Sequence, residues 1–139
     1  DNIDINIIAQ KPKKLHIFNR TYDKAKLMQK KWETLAKNNH VNIAVLEYLS
    51  LNNTNYDLVI NATSSGLVEG AMPMASKYFI PETIYYDMTY GFETPFMKAS
   101  KAKGAKIFDG TGMLIEQAAE SFFIWHKLKP NTTNTFKIL

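Results

Sequence analysis

At 139 residues, with 45 % apolar and 22 % charged residues, the chain is long enough for one packed domain. It has no run of about twenty apolar residues to cross a membrane as a helix. The formal charge of +4 comes from 17 basic and 13 acidic residues, and of the basic ones only Arg20 is an arginine. Lysines spread along the chain read as solvated faces, and without a stripe of arginine and aromatic residues nucleic acid is not expected as a partner. The absence of cysteine excludes disulfides, thiolate zinc ligands and a cysteine nucleophile, and fits a cytoplasmic protein. The polar, acidic start lacks an initiator methionine and a basic n-region, so it reads as the edge of a fragment rather than as a signal peptide.

Residues 3–10 come first. Ile3, Ile5 and Ile7 alternate as in a strand, but Ile8 and Ala9 break the alternation before Pro12. If the next segment is an interior strand, a helical crossover should precede it, so a helix is expected here. Leu15-His16-Ile17-Phe18 follows as a strand. A helix comes next, with Ala25, Met28, Trp32, Leu35 and Ala36 at three- and four-residue steps. Val41-Asn42-Ile43-Ala44-Val45-Leu46, Asp57-Leu58-Val59-Ile60-Asn61, Ile84-Tyr85-Tyr86-Asp87-Met88 and Ala105-Lys106-Ile107-Phe108 are short, rich in β-branched or aromatic residues, and read as strands. Thr94-Pro95 marks an N-cap and first helical position, and Gly104 closes that helix. A last helix is expected from about Gly112 to Lys127, with Met113, Leu114, Ala118, Phe122 and Trp125 apolar; Trp32, Phe122 and Trp125 are expected in the core. Residues 131–134 read as a flexible connector. The alternation specifies α/β architecture: a Rossmann-like, open, mostly parallel sheet with helices on both faces.

Such sheets bind ligands beyond the carboxyl ends of their strands. Those ends here carry four small, polar loops: Asn19-Arg20-Thr21, Asn61-Ala62-Thr63-Ser64-Ser65-Gly66, Asp87-Met88-Thr89-Tyr90 and Asp109-Gly110-Thr111-Gly112. In a dinucleotide-binding domain an acidic residue after the second strand selects NAD, whereas a nearby arginine accommodates the 2′-phosphate of NADP. Neutral Asn19, then Arg20, Thr21 and Lys24 one turn on, fit the phosphate, with Thr21 placed to cap the helix. The same residues also make an ordinary capped helix start with two surface cations. The loop beginning at Asn61 offers backbone donors and small side chains to a cofactor, and is also common loop punctuation. Gly110-x-Gly112 is only an echo of the Gly-x-Gly-x-x-Gly fingerprint. Asp87 and Asp109 read as loop anchors. His16, His40 and His126 share no metal-ligand spacing, so no metal site is expected.

Taken in order, Asn19-Arg20-Thr21-x-x-Lys24, the Asp57-to-Gly66 string, Tyr86-Asp87-Met88-x-Tyr90, Thr94-Pro95-Phe96 and Asp109-Gly110-x-Gly112-Met113-Leu114-x-x-Gln117-Ala118-Ala119 closely resemble the carboxyl-terminal NADP-binding domain of shikimate dehydrogenase. The resemblance runs from about Leu15 to Pro130. It implies the reversible reduction of 3-dehydroshikimate to shikimate with NADPH, on the route to aromatic amino acids. It also implies that Asn19, Arg20, Thr21 and Lys24 grip the adenosine 2′-phosphate, with Lys24 where the family often has arginine. Asn61, Ala62, Thr63 and Ser64 would border the cofactor, Met88 and Gly110 would contact its nicotinamide end, and Met113 would pack on the ring. Tyr90 and Gln117 would reach the substrate.

By the same resemblance a glycine-rich loop and its strand should precede Ile3, and a catalytic Lys–Asp pair belongs to an amino-terminal domain. Residues 1–139 are thus expected to be an incomplete NADP-binding domain with no catalytic residue of its own, inactive alone and prone to self-association. The alternatives are a quinate/shikimate dehydrogenase using NAD, which an acidic residue at position 19 or 20 would have favoured, and a non-catalytic nucleotide-binding module, which would have no use for Tyr90 and Gln117 together.

Overall fold

A computed structural model describes residues 2–47, 55–64 and 72–137. The chain folds as two compact units, Asp1–Thr54 and Asn55–Leu139.

The first unit begins with the expected helix, α1 (Asn2–Ala9). Strand β1 (Lys14–Ile17), helix α2 (Tyr22–Asn38) and strand β2 (Asn42–Val45) follow. β1 and β2 pair in parallel, with Leu15 opposite Ile43 and Ile17 opposite Val45. Joining neighbouring parallel strands requires a crossover, and α2 is that crossover. Its apolar stripe lies on the strands. Ala25 packs with Ile17 and Val45, and Ala36 packs with Ile8 and Val41, while Trp32 and Leu35 lean on the second cluster. Small Ala25 and Ala36, both fully buried, mark where helix and strands approach closely.

The second unit holds β3 (Leu58–Asn61), β4 (Ile84–Asp87), α3 (Pro95–Ala102), β5 (Lys106–Phe108) and α4 (Thr111–His126). The three strands form a parallel sheet in the order β3-β4-β5. Its core is aromatic. Phe79, Tyr85 and Phe96 meet with ring centroids 4.9, 5.2 and 5.8 Å apart, and the Tyr85 hydroxyl accepts the Ile80 N–H at 2.9 Å, so its polar tip is satisfied. α3 starts as expected: Thr94 is the N-cap, its hydroxyl oxygen accepts the Met97 N–H at 3.2 Å, and Pro95 opens the helix. Gly104 follows the helix with φ +74°, the left-handed conformation that glycine adopts without cost.

Two expectations are corrected. α4 buries Ile115 and Ala119, whereas Phe122 and Trp125 are exposed, Trp125 at 76 %. Apolar residues surround the end of this helix, from Phe122 to Trp125, so periodicity alone could not choose the buried face. Residues 131–134 do not simply connect. Thr132 donates to Glu116 of α4 at 3.0 Å, and a short turn of 3₁₀ helix, Thr135–Lys137, follows it.

Candidate functional site

In the first unit, the chain leaves β1 through an Asx turn. Asn19 Oδ1 accepts the Thr21 backbone N–H at 2.9 Å. Thr21 then takes the N-cap position of α2 with extended backbone, but its hydroxyl makes no capping bond. The expected cap is present in place and absent in chemistry: the side-chain acceptor in this turn is Asn19. Asn19, Arg20, Thr21 and Lys24 are all exposed. Arg20 and Lys24 stand at the start of a seventeen-residue helix, whose amino-terminal dipole end also favours an anion.

In the second unit the ends of β3 and β4 open into a cleft of about 420 Å³ lined by Ala62, Thr63, Ser64, Met88, Thr89, Tyr90 and Phe92. Five of the residues expected at a site lie here: Ala62, Thr63, Ser64, Met88 and Tyr90. Ser65 and Gly66 lie outside the described residues. Asn61 is buried behind the cleft and points into the protein. Its amide donates to Asp87 Oδ2 at 3.2 Å, and its Oδ1 accepts the Thr63 N–H at 3.1 Å and the Thr63 hydroxyl at 2.8 Å. Asp87 and Asp109 do anchor loops. Asp87 Oδ1 accepts the Thr89 N–H at 3.0 Å, and Asp109 holds the Thr111 N–H and hydroxyl at 3.0 and 3.1 Å.

Gly110 serves through its backbone. Its N–H donates to Thr89 O at 2.9 Å, and a Cβ there would stand 2.1 Å from Met88 O. Only glycine lets the start of α4 approach β4 this closely. Met113 and Gln117 follow it at steps of three and four residues, so Gly110, Met113 and Gln117 share one face of the helix start. The Met113 backbone also meets the Tyr86 phenol, whose ionisation burial and the Asp109 charge push to higher pH. Met113 and Gln117 are not among the residues that line the cleft. Thr89 lines it from a loop expected at this edge, though not singled out as a site residue, and Phe92 lines it from outside the expected loops. The turn at Gly91, with φ +85°, was the signal that could have brought Phe92 in, because an apolar ring on a tight exposed turn needs a reason.

The family model described as Shikimate 5'-dehydrogenase C-terminal domain matches residues 110–134. A shikimate dehydrogenase (NADP(+)) of Methylobacillus flagellatus is 41 % identical over 127 residues, covering 91 % of this chain and 46 % of that protein. The crystal structure of a shikimate 5-dehydrogenase from Thermus thermophilus, in complex with NADP(H) and shikimate, is 27 % identical with a TM-score of 0.69, covering 84 % of this chain and 41 % of that one. A shikimate 5-dehydrogenase from Listeria monocytogenes is similar in fold over 98 % of this chain and 50 % of its own, at a TM-score of 0.82 and 23 % identity. The chain spans about half the length of the relatives it matches.

Proposed function

We propose that the chain belongs to the shikimate dehydrogenase family, whose carboxyl-terminal domain model matches residues 110–134, and that residues 1–139 serve as an NADP-binding domain. Asn19, Arg20, Thr21 and Lys24 hold the adenosine 2′-phosphate in this reading. Arg20 contributes a planar fork for paired, charge-assisted bonds and an adenine-stacking surface, and Lys24 contributes a point charge. Ala62, Thr63 and Ser64 border the cofactor, with Asn61 buried behind them; Met88 and Gly110 meet its nicotinamide end, and Met113 packs on the ring. The cleft suits it, being open and lined by small side chains and hydroxyls next to the apolar Met88 and Phe92. When bound, the dinucleotide supplies the hydride; the chain's own residues bind and orient.

The observation that carries the choice of NADP is the exposed pair Arg20 and Lys24 at the start of α2, after a neutral Asn19. Fluorescence titration of the chain with NADPH and NADH tests it, with tighter binding of NADPH expected. Equal affinity, or preference for NADH, overturns it and favours the NAD-using quinate/shikimate alternative.

The full reaction, 3-dehydroshikimate to shikimate, needs the amino-terminal domain of the family, with Tyr90 and Gln117 contributing to the substrate side. No turnover of shikimate with NADP is expected from residues 1–139 alone, since general acid–base help is worth about 10²–10⁴ in rate. Activity within about tenfold of an intact relative would overturn that division of labour. The exposed apolar end of α4, Ile124 and Trp125, together with Leu128 just past it, supports self-association of the isolated chain. Sedimentation that finds a monomer at high concentration would contradict it. A cytoplasmic setting fits the absence of cysteine, and among the described residues no helix is long and apolar enough to cross a membrane.

A further inference from the structure

Asp87 is a carboxylate with no solvent exposure at the last position of β4. Three neighbours donate to it. Oδ1 accepts the Thr89 N–H at 3.0 Å; Oδ2 accepts the Thr94 hydroxyl at 2.6 Å and the Asn61 amide at 3.2 Å. The parallel register puts Asn61 directly opposite Asp87, so the pairing of β3 with β4 delivers one donor, and the start of α3 delivers another.

The carboxylate sets the direction of every other bond. Thr94, also without exposure, has one hydroxyl proton. With that proton on Asp87, its lone pairs face α3 and accept the Met97 N–H. Asn61, with its amide nitrogen on Asp87, must present its oxygen to Thr63, where it receives both the N–H and the hydroxyl. One buried group thus fixes Thr63 on one wall of the cleft and Thr89 on the other. A position that only needed filling would be apolar, because a buried carboxylate is costly unless its acceptor sites are occupied. Asp87 itself does not line the cleft.

We propose that Asp87, oriented by Thr94 and Asn61, is a positioning residue that sets residues 62–64 and 88–90 at the spacing the nicotinamide end of the cofactor requires. This rests on the cofactor reading above and adds to it a division of the ligand. Breaking the network should weaken binding at the nicotinamide end and leave the adenine end, with its 2′-phosphate, untouched.

Two probes separate these ends on the full 139-residue chain: NADPH, and adenosine 2′,5′-bisphosphate, which lacks nicotinamide. Thr94→Val should weaken NADPH about tenfold, the scale of one lost charge-assisted bond, and change the bisphosphate by less than about twofold. Thr94→Ser, which keeps the hydroxyl, should restore NADPH binding. Equal loss of both probes, or no loss of either in a folded Thr94→Val chain, overturns the positioning role and leaves the cofactor reading standing. Wild-type chain that binds neither probe overturns both. If circular dichroism shows Thr94→Val unfolded, Thr94→Gly takes its place, because glycine is accepted at an N-cap but offers Asp87 no hydroxyl. The same split is then expected, and the same outcomes overturn it.

Discussion

At the end of β1, Asn19, Arg20, Thr21 and Lys24 are exposed; the Thr21 N–H donates to Asn19 Oδ1, and the Lys24 N–H donates to Thr21 O. At the ends of β3 and β4, Asn61, Asp87 and Thr94 are buried and joined to one another, and the exposed cleft residues hang from them. Both stretches leave parallel strands at their carboxyl ends, yet in the cofactor reading proposed above they do different work. A phosphate is bound by charge, which acts over some distance and tolerates a flexible arginine or lysine. The dihydronicotinamide ring of NADPH carries no charge and would be held by shape, which requires walls that do not move. The first turn spends few of its own hydrogen bonds and keeps its cations free to meet solvent; the second uses buried polar groups to fix backbone.

Substitutions can sharpen or break that contrast. The largest effect is expected at Arg20. Arg20→Ala should weaken NADPH ten- to a hundredfold, from about 1.5–3 kcal/mol for a charge-assisted bond, with little change for NADH and none in thermal stability. Lys24→Ala should do the same to a smaller extent, and added salt should shrink both effects. Loss of both cofactors equally would make Arg20 a stacking or structural residue.

Gly110→Ala comes next. Its new Cβ would collide with the Met88 carbonyl, a backbone group that cannot swing away. Destabilisation of roughly 1–3 kcal/mol is expected, as for other overpacked sites, read from the denaturant midpoint. An unchanged midpoint would mean that the approach of α4 to β4 is not tight.

The two helix caps give the third comparison. Thr94→Ala removes a buried hydroxyl bonded at both ends and should cost about 1–2 kcal/mol. Thr21→Ala removes a hydroxyl that makes no capping bond and should cost only a few tenths of that range. Similar costs at both sites would erase the distinction between the stretches.

The smallest effect belongs to His16 on β1, whose imidazole is held below its ordinary 6.5 by burial and by the charge of Lys14. The unfolded chain takes up this proton more readily than the folded one, so the contribution is complete above that value and is lost as pH falls through the lower folded one. Replacing His16 with glutamine should therefore flatten the fall in stability between neutral and mildly acid pH. A slope unchanged by the substitution would assign the acid sensitivity elsewhere.

Much of the local plan was readable from the residues. The five strands fall within one or two residues of their expected places, because short β-branched runs between turn residues have few other uses. Thr94, Pro95 and Gly104 marked the ends of α3 through chemistry that acts within a few residues. The bond from Asn61 to Asp87 was not readable in this way, since it joins positions 26 apart and exists only once β3 and β4 take their register. Burial on α4 failed for a related reason. Ile115 and Ala119 are covered because of what the fold brings to them, and the more apolar Phe122 and Trp125 are left outside. The Thr21 cap differs at the level of atoms: the residue type and place are as expected, but its hydroxyl makes no capping bond, and the side-chain bond in this turn is the one Asn19 accepts from the Thr21 N–H.

The placement of Trp32 and Trp125 has an optical consequence. They are the only two tryptophans of the chain, one in each unit. The Trp32 indole lies against the first unit's core with its Nε1 buried and, among the described residues, without a hydrogen-bond partner, while the Trp125 indole stands in water. Emission from the first should lie to the blue and be shielded from a dissolved quencher; emission from the second should lie to the red and be quenched first. Unfolding followed by intrinsic fluorescence can therefore be resolved into the melting of each unit without any added label.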